Sequence, residues 1–311
     1  MQETLEKTKK ARIAVIGDIM LDRYITGNVT RISPEAPVPV VLVEEETCVL
    51  GGAGNVVANL CKLGVTNIHL FCCISDDPFG VTIKTKLDDL YRKHGNIETT
   101  YFGAEQTITK TRIMADNHQI VRLDRETPKL LEAITANKIV DTITGNISNF
   151  DVILISDYGK GCITPYFLSR LSRSIEARIP ICIDPSPKTN YPPMLNTIIL
   201  PNTTEKMKMH DPRETPLNEK FLAVVETAGA EGIYIHVLDE PTKHIRAIEI
   251  SDVVCTIGAG DTVTSVFTAA YGTGATMYEA AMLANIAASV VVRHTNTYAV
   301  SYAEIFEAIK L

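Results

Sequence analysis

The amino-acid sequence predicts an α/β fold in which a mostly parallel central sheet lies between helical layers and a smaller β-sheet stands apart. Short, continuous apolar runs, among them Arg12 to Gly17 (RIAVIG), 68–73 (IHLFCC) and Asp151 to Ser156 (DVILIS), have the composition of parallel strands buried on both faces. Helical segments separate them, which is the rhythm of repeated strand–helix–strand units. Glu98 to Asp124 breaks that rhythm with pieces in which polar and apolar residues alternate, as in an antiparallel ribbon. The 311 residues, 45% of them hydrophobic, suffice for a sizeable core and are read as one domain, 1–311.

Taken in order, the first strand, Arg12 to Gly17, runs into Asp18. A carboxylate at the C-terminal end of a parallel strand lies where open α/β sheets bind ligands. Asp18 is therefore a candidate contact for substrate hydroxyls, with a simple turn cap as the alternative. Pro34, Pro37 and Pro39 exclude a helix or central strand and place an ordered loop before an edge strand, Val38 to Val43. Gly51-Gly52-Ala53-Gly54-Asn55 is a small-residue turn that opens a helix running to about Leu63; either backbone packs closely here or Asn55 contacts a polyol. A helix with a charged outer face covers 79–94. On the ribbon, Lys110, Arg112 and Arg122 form a solvated face unless a site recruits them.

Residues 133–149 read as a helix, and the strand at 151–156 ends in Ser156-Asp157-Tyr158-Gly159-Lys160-Gly161. Thr164-Pro165 starts the next helix with an N-cap and a proline at the first position. The strand Ile179 to Ile183 ends in Asp184-Pro185, and Thr197 to Leu200 ends in Pro201-Asn202-Thr203-Thr204-Glu205. Polar groups thus gather on one rim of the sheet. Residues 206–220 are polar and proline-broken, a loop or frayed helix. Ile233 to Leu238 and His244 to Ile250 read as an antiparallel pair, followed by helices at 261–271, 277–292 and 302–310, the last opened by the capping box Ser301-Tyr302-Ala303-Glu304.

Composition narrows the function. The net charge is −7 without any block of like charges, which argues against a nucleic-acid or membrane surface as partner. A small acidic substrate then needs a local basic pocket. The seven cysteines are odd in number, include neighbours Cys72 and Cys73, and form no Cys-x-x-Cys pair, which argues against zinc and a disulfide framework. No apolar leader opens the chain and no run of roughly eighteen apolar residues occurs. A soluble, cytoplasmic protein is expected.

The chemistry centres on Ile257-Gly258-Ala259-Gly260-Asp261-Thr262, followed at once by an apolar helical run. At a helix N-terminus the first N–H groups lack intrahelical partners and the macrodipole is positive, which suits an anion. Small residues let a phosphate approach the backbone. Asp261 then faces the group that attacks the phosphate, in reach of a hydroxyl proton. The alternative is an acidic residue that merely favours the dipole in a tight connection.

From about residue 11 to 310 the order of these motifs resembles the ribokinase-like (PfkB) family of sugar kinases. GDIMLDRY at 17–24, RISPEAPVPV at 31–40, TKTR at 109–112, RLDRE at 122–126 and SDYGKG at 156–161 are similar to the D-glycero-β-D-manno-heptose-7-phosphate kinases. The resemblance implies a ribokinase-like three-layer sandwich with a β-sheet lid over the sugar, contributed by about 24–50 and 97–124, through which such kinases commonly dimerise. It implies Gly258, Ala259 and Gly260 as the anion hole and Asp261 as the catalytic base, a weak one at a helix N-terminus. Asp18, Gly51, Gly52 and Asn55 match the sugar-hydroxyl side, with Asp157 beside them. Lys110, Arg112 and Lys160 match basic positions for the substrate's own phosphate. Asn202 and Glu205 match a segment that organises Mg²⁺, through water at Glu205, and the phosphates of ATP. Thr227, Gly229 and Asn285 match the nucleotide side. The nucleotidyltransferase domain fused to some heptose kinases is expected to be absent.

Departures cluster on the nucleotide side. Cys255 and Ile257 replace the Asp and Thr usual before the turn, Ala228 replaces an Arg, and the segment after Glu205 is short. The final loop, His294-Thr295-Asn296-Thr297-Tyr298, lacks the family's glycine. Little dependence on K⁺ is expected. Two rivals stay open: a kinase for another sugar phosphate, and a sugar-phosphate-binding protein that has lost efficient catalysis.

Overall fold

The computed structural model describes residues 1–310 apart from 96, 117, 128, 176–177, 211–214, 251 and 296. In chain order the elements are α1 (Gln2–Thr8), β1 (Arg12–Gly17), β2 (Ile19–Ile32), β3 (Pro39–Gly52), α2 (Ala53–Leu63), β4 (Asn67–Ile74), α3 (Pro78–His94), β5 (Ile97–Gly103), β6 (Ile108–Ala115) and β7 (His118–Arg125). Then follow α4 (Ala133–Gly145), β8 (Val152–Ser156), α5 (Pro165–Ile175), β9 (Ile181–Asp184), β10 (Met194–Ile199), α6 (Thr203–Met209), α7 (Leu217–Lys220) and β11 (Phe221–Thr227). The chain closes with β12 (Ile233–His236), β13 (Lys243–Ile245), α8 (Ala259–Gly272), α9 (Met277–Val291) and α10 (Tyr302–Ile309).

The continuous apolar runs are central strands because both their faces are covered. In β1, Ile13 and Val15 join the core that includes α2, α8 and α9, while Ala14 and Ile16 join the core under α4 and α5. The same division separates Val152 and Leu154 from Ile153 and Ile155 in β8. Three layers result, with a nine-stranded sheet of order β13-β12-β11-β10-β9-β8-β1-β4-β5 in the middle. Its pairings are parallel from β5 to β11, and the last two are antiparallel. Parallel strands end at a common rim, so Asp18, Asp157, Asp184 and Asn202 come together there.

A second sheet, of order β3-β2-β6-β7, stands apart as expected. Its membership differs from the expected segments. β5 belongs to the central sheet, pairing with β4 in parallel after the α3 crossover, and its alternating composition reflects an edge position. β2 begins at Ile19 and pairs with β3 along a hairpin of two 14-residue strands, so the expected 38–43 strand is only its outer end.

Other boundaries shift for local reasons. β11, FLAVVET, was not among the expected strands although it carries the same buried apolar signal. The 206–220 stretch contains the end of α6 and the short α7, with 211–214 outside the described residues. The first helix α1 was not expected, α4 stops at Gly145 before a 3₁₀ turn at 147–149, and β13 ends at Ile245 rather than near 250. Capping boxes close the N-termini of α6, α9 and α10, the last at the expected Ser301 and Glu304.

Candidate active site

The N-terminus of α8 is the centre of the site. Gly258 is its N-cap in a left-handed conformation, φ 81°. Only glycine adopts this readily, and a Cβ here would press on the Asn55 amide at 3.1 Å. Asp261, in the first turn and 4% exposed, accepts hydrogen bonds from Asn55 Nδ2 at Oδ2 and from the Tyr158 hydroxyl at Oδ1, each 2.7 Å. Asn55 is fixed by Asn59, whose Nδ2 donates to the Asn55 carbonyl at 2.9 Å and whose Oδ1 accepts from the Thr262 hydroxyl at 2.9 Å. These bonds tie α2 to α8. Burial pushes the Asp261 carboxyl up to about 6, against the bonds from Asn55 and Tyr158. The helix terminus is the ground for expecting a weak base, and loss of water acts in the opposite direction, raising this carboxyl. The Ala259 N–H donates to the Thr256 carbonyl at 3.2 Å, so within the turn Ala259 contributes backbone shape.

Beside Asp261 the small sheet contributes charge. Asp22 on β2 lies in register with Lys110 on β6, and Tyr24 with Arg112. Asp22 and Arg112 are buried and paired, Nη1 to Oδ1 at 2.5 Å, and the guanidinium stands 5.3 Å from the Tyr24 ring centre. Arg112 thus has a fixed carboxylate partner, which the expectation of a phosphate contact did not include. Lys110 Nζ lies 5.5 Å over the Tyr158 ring, and burial lowers its pKa despite the attraction of Asp22. Lys160 is also paired, with Glu126 Oε2 at 2.5 Å. Any phosphate here has to share these cations with resident carboxylates. Asp22 and Tyr158 were the residues sequence reasoning passed over. Asp22 had a signal, since GDIMLDRY carries a second carboxylate at its end, and Gly51 lies so close that a Cβ there would collide with it.

The Asp18 carboxylate, expected either to contact substrate hydroxyls or to hold its own turn, is engaged by backbone. Its carboxylate accepts from the backbone N–H groups of Tyr158, Lys160 and Cys162, all at 3.0 Å, and so ties down the 158–162 segment. Burial raises its pKa and those bonds oppose the rise. Gly52, φ 58°, caps α2 where a Cβ would strike the Asp18 carbonyl. Asp157 accepts from the Tyr191 hydroxyl and, at 2.7 Å, from the Gly159 N–H; burial pushes it up to about 6.

A cleft of about 940 Å³ opens from Asp261 away from the small sheet. Asn202, Glu205, Thr227, Gly229, Gly258, Ala259, Gly260 and Asn285 all line it, so the structure brings the expected phosphate and nucleotide residues together, and Asp157, expected on the sugar side, lines it too. Its far wall is apolar, formed by Ile248, Ile250, Val253, Ala288 and Val292. Such a volume falls within the range of about 300–1,000 Å³ usual for cofactor-sized ligands. Asn202 and Glu205 are engaged in the α6 capping box, Glu205 Oε2 accepting from the Asn202 N–H at 2.9 Å. Burial raises the Glu205 pKa, and Asp184 beside it is raised well above the usual carboxylate range by burial and then by Asp261. These carboxylates suit a hard cation. Among the described residues no cluster of three acidic, His or Cys side chains could hold a metal alone, so Mg²⁺ would complete its shell with water and ligand phosphate, as it commonly does.

Asn285 Nδ2 donates to the Arg246 carbonyl at 2.8 Å and so holds the segment that forms the cleft wall. Before the turn, at the two positions that depart from the usual Asp and Thr, the Ile257 N–H meets Cys255 Sγ at 3.4 Å and the Ile257 side chain is 43% exposed. Of the final loop, Asn296 lies outside the described residues, while Thr297 Oγ1 stands 3.4 Å from the Tyr24 hydroxyl. No helix among the described residues is long and apolar enough to cross a membrane.

Comparison with known proteins bears directly on this geometry. The sequence pattern of the pfkB family carbohydrate kinases matches residues 10–303. The chain is 36% identical over 321 residues to the Bifunctional protein HldE of Citrifermentans bemidjiense, covering 98% of this chain and 64% of that relative. It is 37% identical over 311 residues to the HldE of Campylobacter concisus, covering 96% and 64% respectively. The chain therefore spans just under two thirds of the length of these curated relatives. Among solved structures, a ribokinase from Thermotoga maritima superposes with a TM-score of 0.71 at 16% identity, over 97% of this chain and 100% of that one. Phosphofructokinase-2 from Escherichia coli in complex with potassium gives 0.74 at 16% identity over 96% and 98%. A ribokinase of Arabidopsis thaliana complexed with ribose and ATP gives 0.69 at 17% identity over 97% and 99%. At these identities the shared property is the fold.

Proposed function

The chain belongs to the pfkB family of carbohydrate kinases, phosphotransferases that act on a sugar hydroxyl, and on that premise we propose that it transfers the γ-phosphoryl of ATP to the anomeric hydroxyl of D-glycero-D-manno-heptose 7-phosphate, giving the 1,7-bisphosphate. The observation that carries the reading is the position of Asp261. It stands at the head of α8, between the wide cleft and the charged pocket of Asp22, Lys110, Arg112 and Lys160. A phosphorylated acceptor fits a pocket that holds three cations in an otherwise acidic protein. The similarity to proteins named HldE, together with the heptose-kinase motifs, favours a heptose phosphate among such acceptors.

In this reading Asp22 and Asn55 orient the sugar hydroxyls, and Gly51 and Gly52 leave room for them. Asp18 acts behind the sugar by holding the loop of Tyr158 and Lys160. Lys110 and Lys160 meet the 7-phosphate, with Arg112 completing the field through its pair with Asp22. Asp261 accepts the hydroxyl proton; with its pKa near 6 it is ionised at neutral pH yet basic enough to take part. Gly258, Gly260 and Asp261 offer backbone N–H groups to the transferring phosphoryl. Asn202 and Glu205 hold the phosphate end of ATP, and Thr227, Gly229 and Asn285 frame its nucleoside end. Mg²⁺ at Glu205 would neutralise phosphate charge. Phosphoryl transfer through a loose transition state depends mostly on such positioning and charge neutralisation. Exposed apolar residues on the small sheet, Leu42, Val43, Ile120, Val121 and Leu123, support a homodimer through this lid.

The test is a turnover assay with Mg²⁺ and ATP across a panel of sugars and sugar phosphates. Heptose 7-phosphate is expected to give the highest kcat/KM, with a bisphosphate product. A better rate on another sugar phosphate would reassign the substrate, and tight binding of heptose 7-phosphate without ATP consumption would favour a protein that has lost catalysis.

A further inference from the structure

A second cavity, of about 170 Å³, lies behind the 158–162 segment, on the side away from the nucleotide cleft. It reaches the surface past Leu130, which is 71% exposed. Cys73 from β4 and Cys162 from the loop after β8 both line it. They are 89 residues apart in sequence, and the fold brings their sulfurs to 4.0 Å. No sequence spacing announces this pair. All seven cysteines are free thiols, and Cys61 and Cys182 are buried with pKa values pushed up to about 12 by burial. Cys73 differs: it is only partly buried, and its contact with Cys162 lowers its pKa.

We propose that Cys73 and Cys162 form an oxidisable dithiol whose closure to a disulfide acts on the substrate loop. The sulfurs need to approach by about 2 Å to reach bonding distance, within the reach of side-chain rotation and a small backbone shift. With hydrogen peroxide as oxidant, Cys73 thiolate attacks one peroxide oxygen to give a sulfenic acid and hydroxide. The Cys162 sulfur then displaces the sulfenic oxygen as water. In sum, two thiols and one peroxide give one disulfide and two waters.

The connection to the site is covalent and short. Cys162 donates its N–H to Asp18 at 3.0 Å, and the Gly161 carbonyl accepts from Leu131 N–H at 2.8 Å. Four residues earlier, Tyr158 donates to Asp261. Drawing Cys162 toward β4 therefore pulls on the clamp that sets Tyr158 and Lys160.

The experiment treats the full chain with a small excess of hydrogen peroxide, traps remaining thiols with iodoacetamide and maps the peptides by mass spectrometry. The expected result is a Cys73–Cys162 linkage, reversed by dithiothreitol, with those two thiols lost about tenfold faster than Cys61 and Cys182. Cys73→Ser removes the linkage and keeps the turnover of the untreated protein. In the same samples, ATP-dependent sugar phosphorylation falls several-fold on oxidation, recovers with dithiothreitol, and is unaffected by peroxide in Cys73→Ser. Separate alkylation of both residues, or a linkage through Cys72 instead, overturns the proposal. A disulfide that forms with turnover unchanged overturns its coupling to the loop. The peptide map does not depend on which sugar is phosphorylated, so its failure is distinct from failure of the heptose reading.

Discussion

On the small-sheet side of Asp261, charged groups are matched one by one: Asp22 with Arg112, Lys160 with Glu126, Asp18 with three backbone N–H groups. On the other side the cleft wall is apolar and partly open, with Ile248 40% and Val253 58% exposed. The first region is organised before any ligand arrives, and its dipoles and charges need little rearrangement to receive one. The second offers shape and apolar surface, with a helix terminus and a capping box as its main polar groups. Substitutions should therefore act sharply and selectively on the first side, and changes of medium should matter little on the second.

The largest effect is expected at the boundary between them. Asp261→Asn should lower kcat by about 10²–10⁴-fold while circular dichroism and sugar-phosphate binding stay close to wild type; a variant with near wild-type kcat would place the base elsewhere. Next, Lys160→Ala should raise KM for the phosphorylated sugar about 10–100-fold, the equivalent of a lost charge-assisted contact of about 1.5–3 kcal/mol, with little change in KM for ATP. Glu126→Gln serves as its control, since it frees the lysine rather than removing it. Equal shifts in both KM values would erase the contrast between the two sides.

A pH profile sharpens the same contrast. Asp261 must be ionised to accept a proton, so kcat/KM should rise with pH through about 6 and level off above it. The Tyr158 hydroxyl favours the charged carboxylate, so Tyr158→Phe should move that limb to higher pH. Asp157 is also pushed up to about 6, and Asp157→Asn should leave the limb where it was. A flat profile between pH 5 and 8, or a limb that follows Asp157, would count against the assignment. The smallest effect concerns the cation: with Cys255 and Ile257 supplying no side-chain oxygen, exchanging K⁺ for Na⁺ or a bulky organic cation at constant ionic strength should leave activity unchanged. A several-fold rise that saturates at millimolar K⁺ would show that carbonyls of this segment build a site regardless.

Local chemistry made much of this legible. Buried parallel strands have to be apolar on both faces, so β1, β4, β8, β9 and β10 stand out of the sequence, and Ser301 with Glu304 announces the start of α10. The turn at Gly258 does so because small residues run straight into an apolar helical stretch, and Gly258 is the left-handed N-cap of that helix. What stayed hidden depends on tertiary pairing. An alternating strand such as β5 reads the same whether its neighbour is β4 or a separate ribbon. Whether a carboxylate is engaged by backbone, as Asp18 is, or by a distant guanidinium, as Asp22 is, is likewise silent in sequence. Arg112, Lys160 and the Cys73–Cys162 pair have partners 90, 34 and 89 residues away, and no periodicity reports those.

β1 ends at Gly17 and β2 begins at Ile19, so a single residue, Asp18, carries the chain from the nine-stranded sheet into the four-stranded one. Its N–H donates to Ser156 at 3.1 Å, its carbonyl accepts from Ala53 at 3.0 Å, and its carboxylate holds three further N–H groups. In mechanical terms this junction is a braced corner, and the angle between the sheets is set where it is least free to turn. Compliance belongs farther out, where the β2–β3 register shifts between Thr26 and Gly27 and again between Val29 and Arg31. Asp22 and Gly51 lie inboard of both shifts, so flexing of the outer hairpin leaves the Asp22–Arg112 pair anchored close to the central sheet.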